Sequence, residues 1–490
     1  MNRQTLLRQR IYKANRRQVK ADRRYVLCWL QQALRGTDNP IIDAAVETGN
    51  KLGLPVVVYH GLDNRYPHAS HRIHRFMLEA SQSLTVDLGK RRLRFCRYVR
   101  RPQKVFPNLV HRLAEEAAAI FTDDMPTFVA RRQATSVAAK VDVPLFLVDA
   151  ACLVPGRQFP TLLEATKSFR AAHRPLRERY LAEHDDVMPT VRKYTRKLPL
   201  DHDAIEDYQS DQLDSLIEAC GIDMTLPPAV DYPGHRQVAV HRLGDAMVNV
   251  VPRYKWTRNN PSLANSTAKL SPYMHFGVLG PREVTQAIHD ADLHSAARWK
   301  FLDELLTWRE YYFHLARHSD DPSAYSNVPA WARKTLAEHA DDARPVIYTL
   351  DQLIHAETAD DVWNAAQRQF LLDGWMHNNL RMYWVKQIIK WTAEPEEAWR
   401  IACYLNDRLS LDGRDPSTYG GIQWGFGRSK RAYRESPIYG WVPSKSASAI
   451  LKRTGVRDWM AAELARPKPE IEIPDSSKRP TKRAARALPL

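Results

Sequence analysis

Cysteine is scarce in this chain of 490 residues, and its few thiols stand far apart. They are Cys28, Cys96, Cys152, Cys220 and Cys403, and no CxxC pair occurs among them. This spacing argues against a disulfide framework, a zinc ribbon and a four-cysteine iron–sulfur site. We therefore expect a protein of a reducing, intracellular compartment that holds no metal.

Long apolar runs are also missing. No stretch approaches the roughly 20 uncharged apolar residues that a membrane span needs. The start of the chain, "MNRQTLLRQRIYKANRRQVK", has no apolar signal-peptide core. We expect a monomer without a membrane partner, in the cytoplasm, associated with the nucleoid in a bacterium or nuclear in a eukaryote.

Acidic residues are outnumbered by basic ones, 56 to 72, which leaves a net charge of +16. An excess of this size attracts polyanions, of which nucleic acid is the commonest large one in a cell. The basic stretches "RRQVKADRR" near the start and "SKRPTKRAARA" near the end carry part of the excess, but the body of the chain stays basic without them. A nucleic-acid partner is therefore expected.

The first third of the chain alternates short apolar runs with helix-like stretches. The runs are "RYVLCWL", "LPVVVYHG", "RLRFCRYV", "AAAIFTDD" and "VPLFLVDA". This alternation predicts an α/β domain with a Rossmann-like, doubly wound parallel sheet. None of the runs leads into GxGxxG or a Walker loop, so this sheet carries no standard phosphate-binding fingerprint.

Beyond about residue 246 the strand pattern largely disappears, and helical periodicity predicts an all-α domain. Twelve of the thirteen tryptophans lie beyond residue 255. The Pro-, Lys- and Arg-rich end predicts disorder. The predicted organisation is a mobile basic N-terminal arm (1–23), an α/β domain (24–152), a connector (153–245), a helical domain (246–465) and a disordered basic tail (466–490).

One helical stretch, "MHNNLRMYWVKQIIKW" (376–391), aligns two tryptophans. Trp384 and Trp391 are two helical turns apart and point roughly the same way, about 10 Å apart along the axis. Arg381 stands among the apolar neighbours of the same segment. From the helix alone, a packed core with one snorkelling cation explains these residues.

Five motifs, found in a fixed order along the chain, indicate a function for these residues beyond core packing. They are "LSPYMHFG" (270–277), "FLDELLTWRE" (301–310), "WNAAQ" (363–367), "MHNNLRMYW" (376–384) and "YLNDRLSLDGRDPSTYGGIQW" (404–424). Together with "VLCWLQQALRGTDNP" and "HRFMLEA" in the first half, they resemble the photolyase/cryptochrome superfamily, most closely class II cyclobutane pyrimidine dimer photolyases. The resemblance spans about residues 24–440 and implies an antenna-type α/β domain followed by a helical FAD-binding domain.

The resemblance implies an FAD site in the helical domain. Hydroxyls and backbone N–H groups of a loop suit the cofactor's phosphates. Arg381 would lie against the flavin ring and pair with Asp412, because a buried arginine needs such a partner. Asn406 would lie near the flavin N5, and Thr418 stands where other photolyase classes carry that asparagine. The implied cofactor residues are Tyr254, Thr267, Ala268, Lys269, Leu270, Ser271, Arg381, Asn406, Asp412, Gly413 and Arg414.

The resemblance also assigns an electron path and a substrate pocket. Trp384, Trp363 and Trp391 would carry electrons between the flavin and the surface. Glu304, catalytic together with Asn406, would hydrogen-bond the carbonyls of a flipped-out dimer. The pocket would be completed by two stacking indoles, Trp308 and Trp424, and by Arg258 and Met382.

The sequence departs from class II at its DNA-facing end. After Gly440 it carries Trp441-Val442-Pro443, where class II enzymes commonly have Lys-Ile-Arg, so the arginine that enters the DNA gap is missing. Arg431 remains available for phosphate contacts, and Trp441 is a candidate to fill the gap.

The resemblance implies a light-driven DNA repair enzyme, a deoxyribodipyrimidine photo-lyase, in which excited reduced FAD passes an electron to the cyclobutane dimer. A cryptochrome-like blue-light photoreceptor using the same FAD and tryptophan chain is the alternative, and a DNA-binding flavoprotein that has lost repair is a third. A second, antenna chromophore of deazaflavin or folate type is left open. Only the resemblance separates cyclobutane from (6-4) substrates.

Overall fold

The computed structural model describes residues 3–106, 108–182, 185–200 and 210–472. Parts of four predicted segments lie outside these ranges: residues 1–2 of the arm, 107 of the α/β domain, 183–184 and 201–209 of the connector, and 473–490 of the tail. Within the described ranges an α/β domain precedes an all-helical one, as predicted.

The first domain contains a sheet of six strands: β1 (Ile11–Lys13), β2 (Tyr25–Leu30), β3 (Val56–Leu62), β4 (Arg94–Val99), β5 (Ala117–Asp123) and β6 (Leu145–Val148). Their order is β1-β6-β5-β2-β3-β4, and all pairs are parallel except β1 with β6. Apolar clusters lie on both faces, so β2 is buried along its whole length. The predicted Rossmann-like, doubly wound sheet is confirmed.

Nine helices of the described residues accompany the sheet and the connector: α1 (Arg3–Arg8), α2 (Pro40–Leu52), α3 (His71–Lys90), α4 (Leu109–Glu115), α5 (Phe128–Lys140), α6 (Thr166–His173), α7 (Arg177–Leu181), α8 (Leu213–Glu218) and α9 (Arg236–Asp245). Helix α9 continues directly into a π-helical turn (Ala246–Val250). The chain therefore has no break at the boundary predicted for residue 246.

The helical domain follows with α10 (Tyr254–Thr257), α11 (Ser271–His275), α12 (Pro281–Asp290), α13 (Ser295–Leu302), α14 (Glu310–Arg317), α15 (Ala330–Glu338), α16 (Leu350–Ile354), α17 (Asp361–Asp373), α18 (Asn378–Trp391), α19 (Pro395–Leu409), α20 (Pro416–Gly425), α21 (Ala447–Leu451) and α22 (Val456–Ala465). No helix of the described residues is long and apolar enough to cross a membrane.

The two domains meet where the strand order of the sheet reverses, between β2 and β5. Asp123, at the end of β5, accepts hydrogen bonds from the N–H groups of Gln31 and Ala33 at 2.8 Å each. Beside them the Leu34 N–H donates to the Phe276 carbonyl at 3.0 Å. In open α/β sheets this crevice usually binds a ligand, whereas here the helical domain occupies it.

The N-terminal segment is not the mobile arm that its charge predicted. Strand β1 pairs with β6, placing Ile11 opposite Val148. The Arg10 guanidinium donates to the carbonyls of Asp149 at 3.1 Å and Cys152 at 2.9 Å. The physical reason is that β6 would otherwise present an unpaired edge, which β1 covers.

The start of the predicted disordered tail is also folded. Arg466 donates to Asp373 at 3.1 Å, and the Ile471 side chain is buried in the core of the helical domain. The His355 ring contacts the Ile471 carbonyl at 3.3 Å. The prediction of disorder is therefore wrong for residues 466–472, because an apolar anchor and an ion pair hold this basic segment.

Helix α18 lies at the centre of the helical domain and is buried on nearly all sides. The turn before it begins at Gly374, whose φ of 63° ends α17 in the left-handed conformation that suits glycine. Burial lowers the pKa of His377 to about 3, so its neutral ring accepts a hydrogen bond from the Asn379 N–H at the start of α18. This turn places Arg381 and Met382 on the wall of a cavity.

Candidate active site

The helical domain contains a cavity of about 620 Å³, a volume typical of sites for cofactors and small ligands. Its wall comes from α10, the loop before α11, α13 and the π-helical turn after it, the first half of α18, and α20. The predicted residues that line it are Tyr254, Arg258, Thr267, Ala268, Lys269, Leu270, Ser271, Glu304, Trp308, Arg381, Met382, Asp412 and Trp424. One cavity therefore brings together residues of the predicted cofactor and substrate sets.

The other predicted site residues do not line this cavity. Three of them form the tryptophan chain behind it, three lie in or just after α19, and two lie in the loop after α20. They are Trp363, Trp384, Trp391, Asn406, Gly413, Arg414, Arg431 and Trp441.

Arg381 and Asp412 form a buried ion pair in the cavity wall, with Nη2 and Oδ1 3.1 Å apart. The Ser410 hydroxyl also donates to this carboxylate, and the Thr418 hydroxyl donates to the Asp412 backbone carbonyl at 2.7 Å. Burial alone would raise the pKa of Asp412, but the Arg381 charge and the hydroxyl donors hold that pKa below its ordinary value. Arg381 is thus a paired cation and does not snorkel to solvent.

Gly413 and Arg414, which are predicted to lie beside the flavin, make contacts with α19 and the turn after it. A Cβ on Gly413 would lie 2.7 Å from the Asn406 carbonyl oxygen, so glycine is needed for close packing against α19. The Arg414 guanidinium donates to the Ser410 and Leu411 carbonyls at 3.1 Å each. These carbonyls lie just after the end of α19, and the Arg414 side chain does not line the cavity.

Several buried polar atoms at the cavity have no hydrogen-bond partner among the described residues. They are Thr267 Oγ1, Ser417 Oγ and Arg381 Nε on the lining, and both amide atoms of Asn406 behind it. An unsatisfied buried polar group costs about 1–3 kcal/mol. Their grouping fits a wall that is completed by a polar ligand. Sequence reasoning missed Ser417, although it stands within the quoted "RDPSTY".

Glu304 lies between two cations on the cavity wall. Its carboxylate is 2.9 Å from Arg258 Nη1 and 2.6 Å from Lys300 Nζ. Glu304 and Trp308 share the π-helical turn (Asp303–Arg309), a local form that is frequent at functional sites. Sequence reasoning missed Lys300, although its i, i+4 spacing from Glu304 on a helix could have shown the pair.

Half-buried indoles form the aromatic part of the wall. Trp308 and Trp424 both line the cavity together with Met382. The Tyr312 ring, which sequence reasoning did not select, also lines it and lies 6.2 Å from the Trp308 ring. The cavity can therefore accept a flat ligand with two π faces.

The three tryptophans behind the cavity are in mutual contact. The rings of Trp384 and Trp363 are parallel within 3° and 6.1 Å apart, and Trp363 and Trp391 are 5.5 Å apart. The Trp384 Nε1–H donates to Gln367 Oε1 at 2.8 Å, which fixes the first indole. The last indole meets the half-buried Tyr348 ring at 5.0 Å. Trp363 of α17 therefore links Trp384 and Trp391, a contact that the sequence of α18 alone could not predict.

Residues of the loop after α20 form a separate surface. The Arg431 guanidinium lies 4.9 Å from the Trp331 ring. Trp441 is 37% exposed, and its backbone N–H donates to Thr335 Oγ1 at 3.2 Å. Val442 behind it is fully buried, so the Trp441 side chain stands on a fixed backbone.

Lys386, in the middle of α18, has no carboxylate partner among the residues that the structure describes. Its ammonium group donates to the Gly425 carbonyl at the end of α20. Burial, together with the nearby charge of Lys445, lowers the pKa of Lys386 to about 7.

We predict that Lys386→Met is more stable than the wild type at pH 7 and that the difference shrinks as the pH rises. The unfolded chain keeps an ordinary lysine pKa of 10.5 and so binds the extra proton above pH 7. The wild-type free energy of unfolding should therefore rise across this window, by up to about 1.4 kcal/mol per pH unit. Denaturant unfolding of both proteins from pH 6 to pH 9 measures this rise, with Lys390→Met on the same helix as the control. If the free energies of unfolding of the wild type and Lys386→Met changed in parallel with pH, the lowered pKa of Lys386 would be contradicted.

Comparison with known proteins gives consistent matches. Residues 26–192 match the family model described as DNA photolyase. A deoxyribodipyrimidine photo-lyase of Methanothermobacter thermautotrophicus is 31% identical over 426 residues, which are 85% of this chain and 89% of that protein. One from Arabidopsis thaliana is 30% identical, over 89% of this chain and 88% of the plant protein.

Solved structures share the fold. A bacterial class III photolyase from Agrobacterium tumefaciens aligns with a TM-score of 0.58 at 18% identity, over 83% of this chain and 80% of that one. A cryptochrome of Synechocystis sp. PCC6803 aligns with a TM-score of 0.64 at 17% identity, over 89% of this chain and 88% of that one. At these identities the structures support the two-domain fold alone.

Proposed function

The chain belongs to the DNA photolyase family of the photolyase/cryptochrome superfamily, and we propose that it splits cyclobutane pyrimidine dimers in UV-damaged DNA in a light-driven reaction. It is an enzyme of the deoxyribodipyrimidine photo-lyase type, a carbon–carbon lyase, because photo-lyases match it at about 30% identity over most of its length. The observation that carries the proposed reaction is the single cavity in which Arg381 and Asp412 face the same space as Glu304, Trp308 and Trp424.

FAD is the cofactor that fits this cavity. The unpartnered polar atoms of Thr267 and Ser417 lie on its lining, and Lys269 adds a cation suited to a phosphate group. The Arg381 guanidinium favours a negatively charged ring beside it, and Asp412 holds that guanidinium in place. When bound, FAD would supply the light absorption and the electron that opens the cyclobutane ring.

The remaining wall suits a flipped-out dipyrimidine. Trp308 and Trp424 offer π faces, and stacking on such a face is worth roughly 1–3 kcal/mol per base. Glu304 would hydrogen-bond the base edge of the dimer, where its carboxylate can accept from a ring N–H, and its present partners Arg258 and Lys300 would hold it at the wall until the lesion enters. A damaged base costs least to extrude from the stack, which favours such a pocket for lesions.

The tryptophan chain would renew the reduced cofactor. Trp384, Trp363 and Trp391 are oxidisable indoles whose neighbouring rings are 5.5–6.1 Å apart. They are assigned to electron delivery and take no part in splitting the dimer.

The cofactor content of the purified protein tests this proposal. We expect a yellow protein that releases one FAD per chain on denaturation, because the polar wall needs a polar ligand. A second chromophore of deazaflavin or folate type in the same extract would be the antenna. Protein that binds no flavin even after reconstitution with FAD would contradict the proposed function.

The loop after α20 predicts a preference for single-stranded substrate. Pro443 stands where class II enzymes commonly carry the arginine that fills the gap left by the flipped dimer. A single strand has no opposing bases that need support, so we expect tighter binding of a dimer in a single strand than in a duplex. Affinity for both should fall with salt, since basic side chains neutralise phosphates.

Trp441 is the candidate to fill that gap, because its side chain is partly exposed on a fixed backbone. Trp441→Ala should then weaken duplex binding and leave single-strand binding unchanged, as measured by fluorescence anisotropy. Equal affinities for the two substrates that Trp441→Ala does not alter would disprove this explanation of the loop.

A further inference from the structure

Two tryptophans near the cavity are largely exposed to solvent. Trp256 on α10 is 60% exposed and Trp299 on α13 is 55% exposed. Every other tryptophan of the described residues is buried or less exposed than these two. Large indoles in contact with water on neighbouring elements are typical of binding surfaces.

The two helices that carry these indoles also form part of the cavity wall. Helix α10 packs on α13 through the Tyr254 and Phe301 rings, whose centroids are 4.9 Å apart. Tyr254, Phe301 and Lys300 line the cavity. The exposed indoles therefore lie on two packed helices that also carry cavity-lining residues.

This surface is basic. The stretch 253–258, "RYKWTR", contains three cations and no carboxylate. Arg253 and Lys255 are exposed, and neither forms an ion pair with a carboxylate in the part of the chain that the structure describes. Lys255 Nζ lies 5.6 Å from the Trp256 ring, and Lys300 Nζ lies 5.9 Å from the Trp299 ring.

We propose that Trp256 and Trp299, with Arg253 and Lys255, form a platform that binds unpaired nucleotides beside the lesion. Bases stack on the two indoles, and the cations neutralise the phosphates between them. This combination of aromatic faces and a cationic path binds single strands without sequence preference. The inference rests on the proposed function, and it adds a partner, single-stranded nucleic acid next to the cavity.

Charge favours nucleic acid over a protein as the occupant. Contacts between proteins are depleted of lysine at their centre, whereas Lys255 lies next to the Trp256 indole itself. The unpaired Lys255 beside an aromatic ring complements a phosphate backbone.

Binding of undamaged oligo(dT) to the full chain, followed by fluorescence anisotropy, tests the platform. Trp256→Ala and Trp299→Ala should each weaken binding about tenfold, equivalent to about 1.4 kcal/mol for one lost stack. Tyr12→Ala, which removes an exposed aromatic ring from the sheet domain, is the control and should bind as the wild type does. Unchanged affinity in both tryptophan variants, or an equal loss in Tyr12→Ala, would overturn the proposal.

Repair of a dinucleotide dimer tests the proposed function independently of the platform. Such a substrate has no flanking nucleotides, so Trp256→Ala and Trp299→Ala should repair it at the wild-type rate. A protein that repairs nothing but binds oligo(dT) through both indoles would refute the proposed function and support the platform. Loss of self-association in the variants, with oligo(dT) affinity unchanged, would identify a contact between copies of the chain and overturn the platform.

Discussion

Trp384→Phe should lose nearly all light-driven reduction of the bound flavin and keep the repair activity of protein that has been reduced chemically beforehand. Trp384 is fully buried, and its ring is stacked 6.1 Å from Trp363 as the first member of the chain. Phenylalanine fills much of the same apolar space, but its ring is far harder to oxidise than an indole. Electron delivery should stop while the cavity keeps its shape.

Trp399→Phe is the matched control. Trp399 is equally buried in the same core, where its Nε1–H donates to the Ser323 carbonyl at 2.8 Å. Its ring contacts Tyr325 and Phe426 and none of the three chain tryptophans. Light-driven reduction should therefore proceed normally in this variant. An equal loss of repair in pre-reduced Trp384→Phe would show that Trp384 serves packing alone.

Asp412→Ala should cause the second large loss, in stability and in flavin binding together. It leaves the Arg381 guanidinium buried without its carboxylate, and breaking such a pair costs about 3–5 kcal/mol. We expect a free energy of unfolding lower by about that amount, and protein purified with little FAD. Denaturant unfolding and the absorbance of released flavin measure the two effects.

Two further variants interpret that result. Asp373→Ala removes a carboxylate whose partner Arg466 is more than one third exposed, so the loss should stay below about 1 kcal/mol and the FAD should remain. Asp412→Ala combined with Arg381→Met removes the unpaired charge and should recover much of the stability without recovering FAD binding. If Asp412→Ala proved as stable and as yellow as Asp373→Ala, the ion pair would have no role at the cofactor.

The sheet was predictable because its strands are buried on both faces. Strand β2 is buried at every position, so it reads as a continuous apolar run between helical stretches. Strand β1 was missed because it has three residues, two of them exposed, and its partner β6 lies more than a hundred residues away in the chain. A short edge strand carries no apolar pattern of its own.

The candidate site was also only partly predictable, because motifs do not show how each side chain is oriented. Motifs placed Arg381 and Asp412 together, and the structure shows their ion pair. Motifs also predict Arg414 at the flavin; the backbone at this residue is left-handed, with φ of 64°, and its guanidinium donates to carbonyls near α19. Proximity in sequence predicts which segment forms a wall, whereas backbone conformation decides which side chain faces the cavity.

Repair of UV-irradiated oligo(dT) by purified, chemically reduced protein is the decisive test of the proposed photolyase reaction. We predict that the ultraviolet absorbance of thymine recovers under blue light and stays unchanged in the dark. Glu304→Ala should slow this recovery, because the cavity then lacks the carboxyl group that faces the dimer. A flavin-loaded, reduced protein that restores no absorbance in the light would contradict the account and would favour a photoreceptor using the same flavin and tryptophan chain.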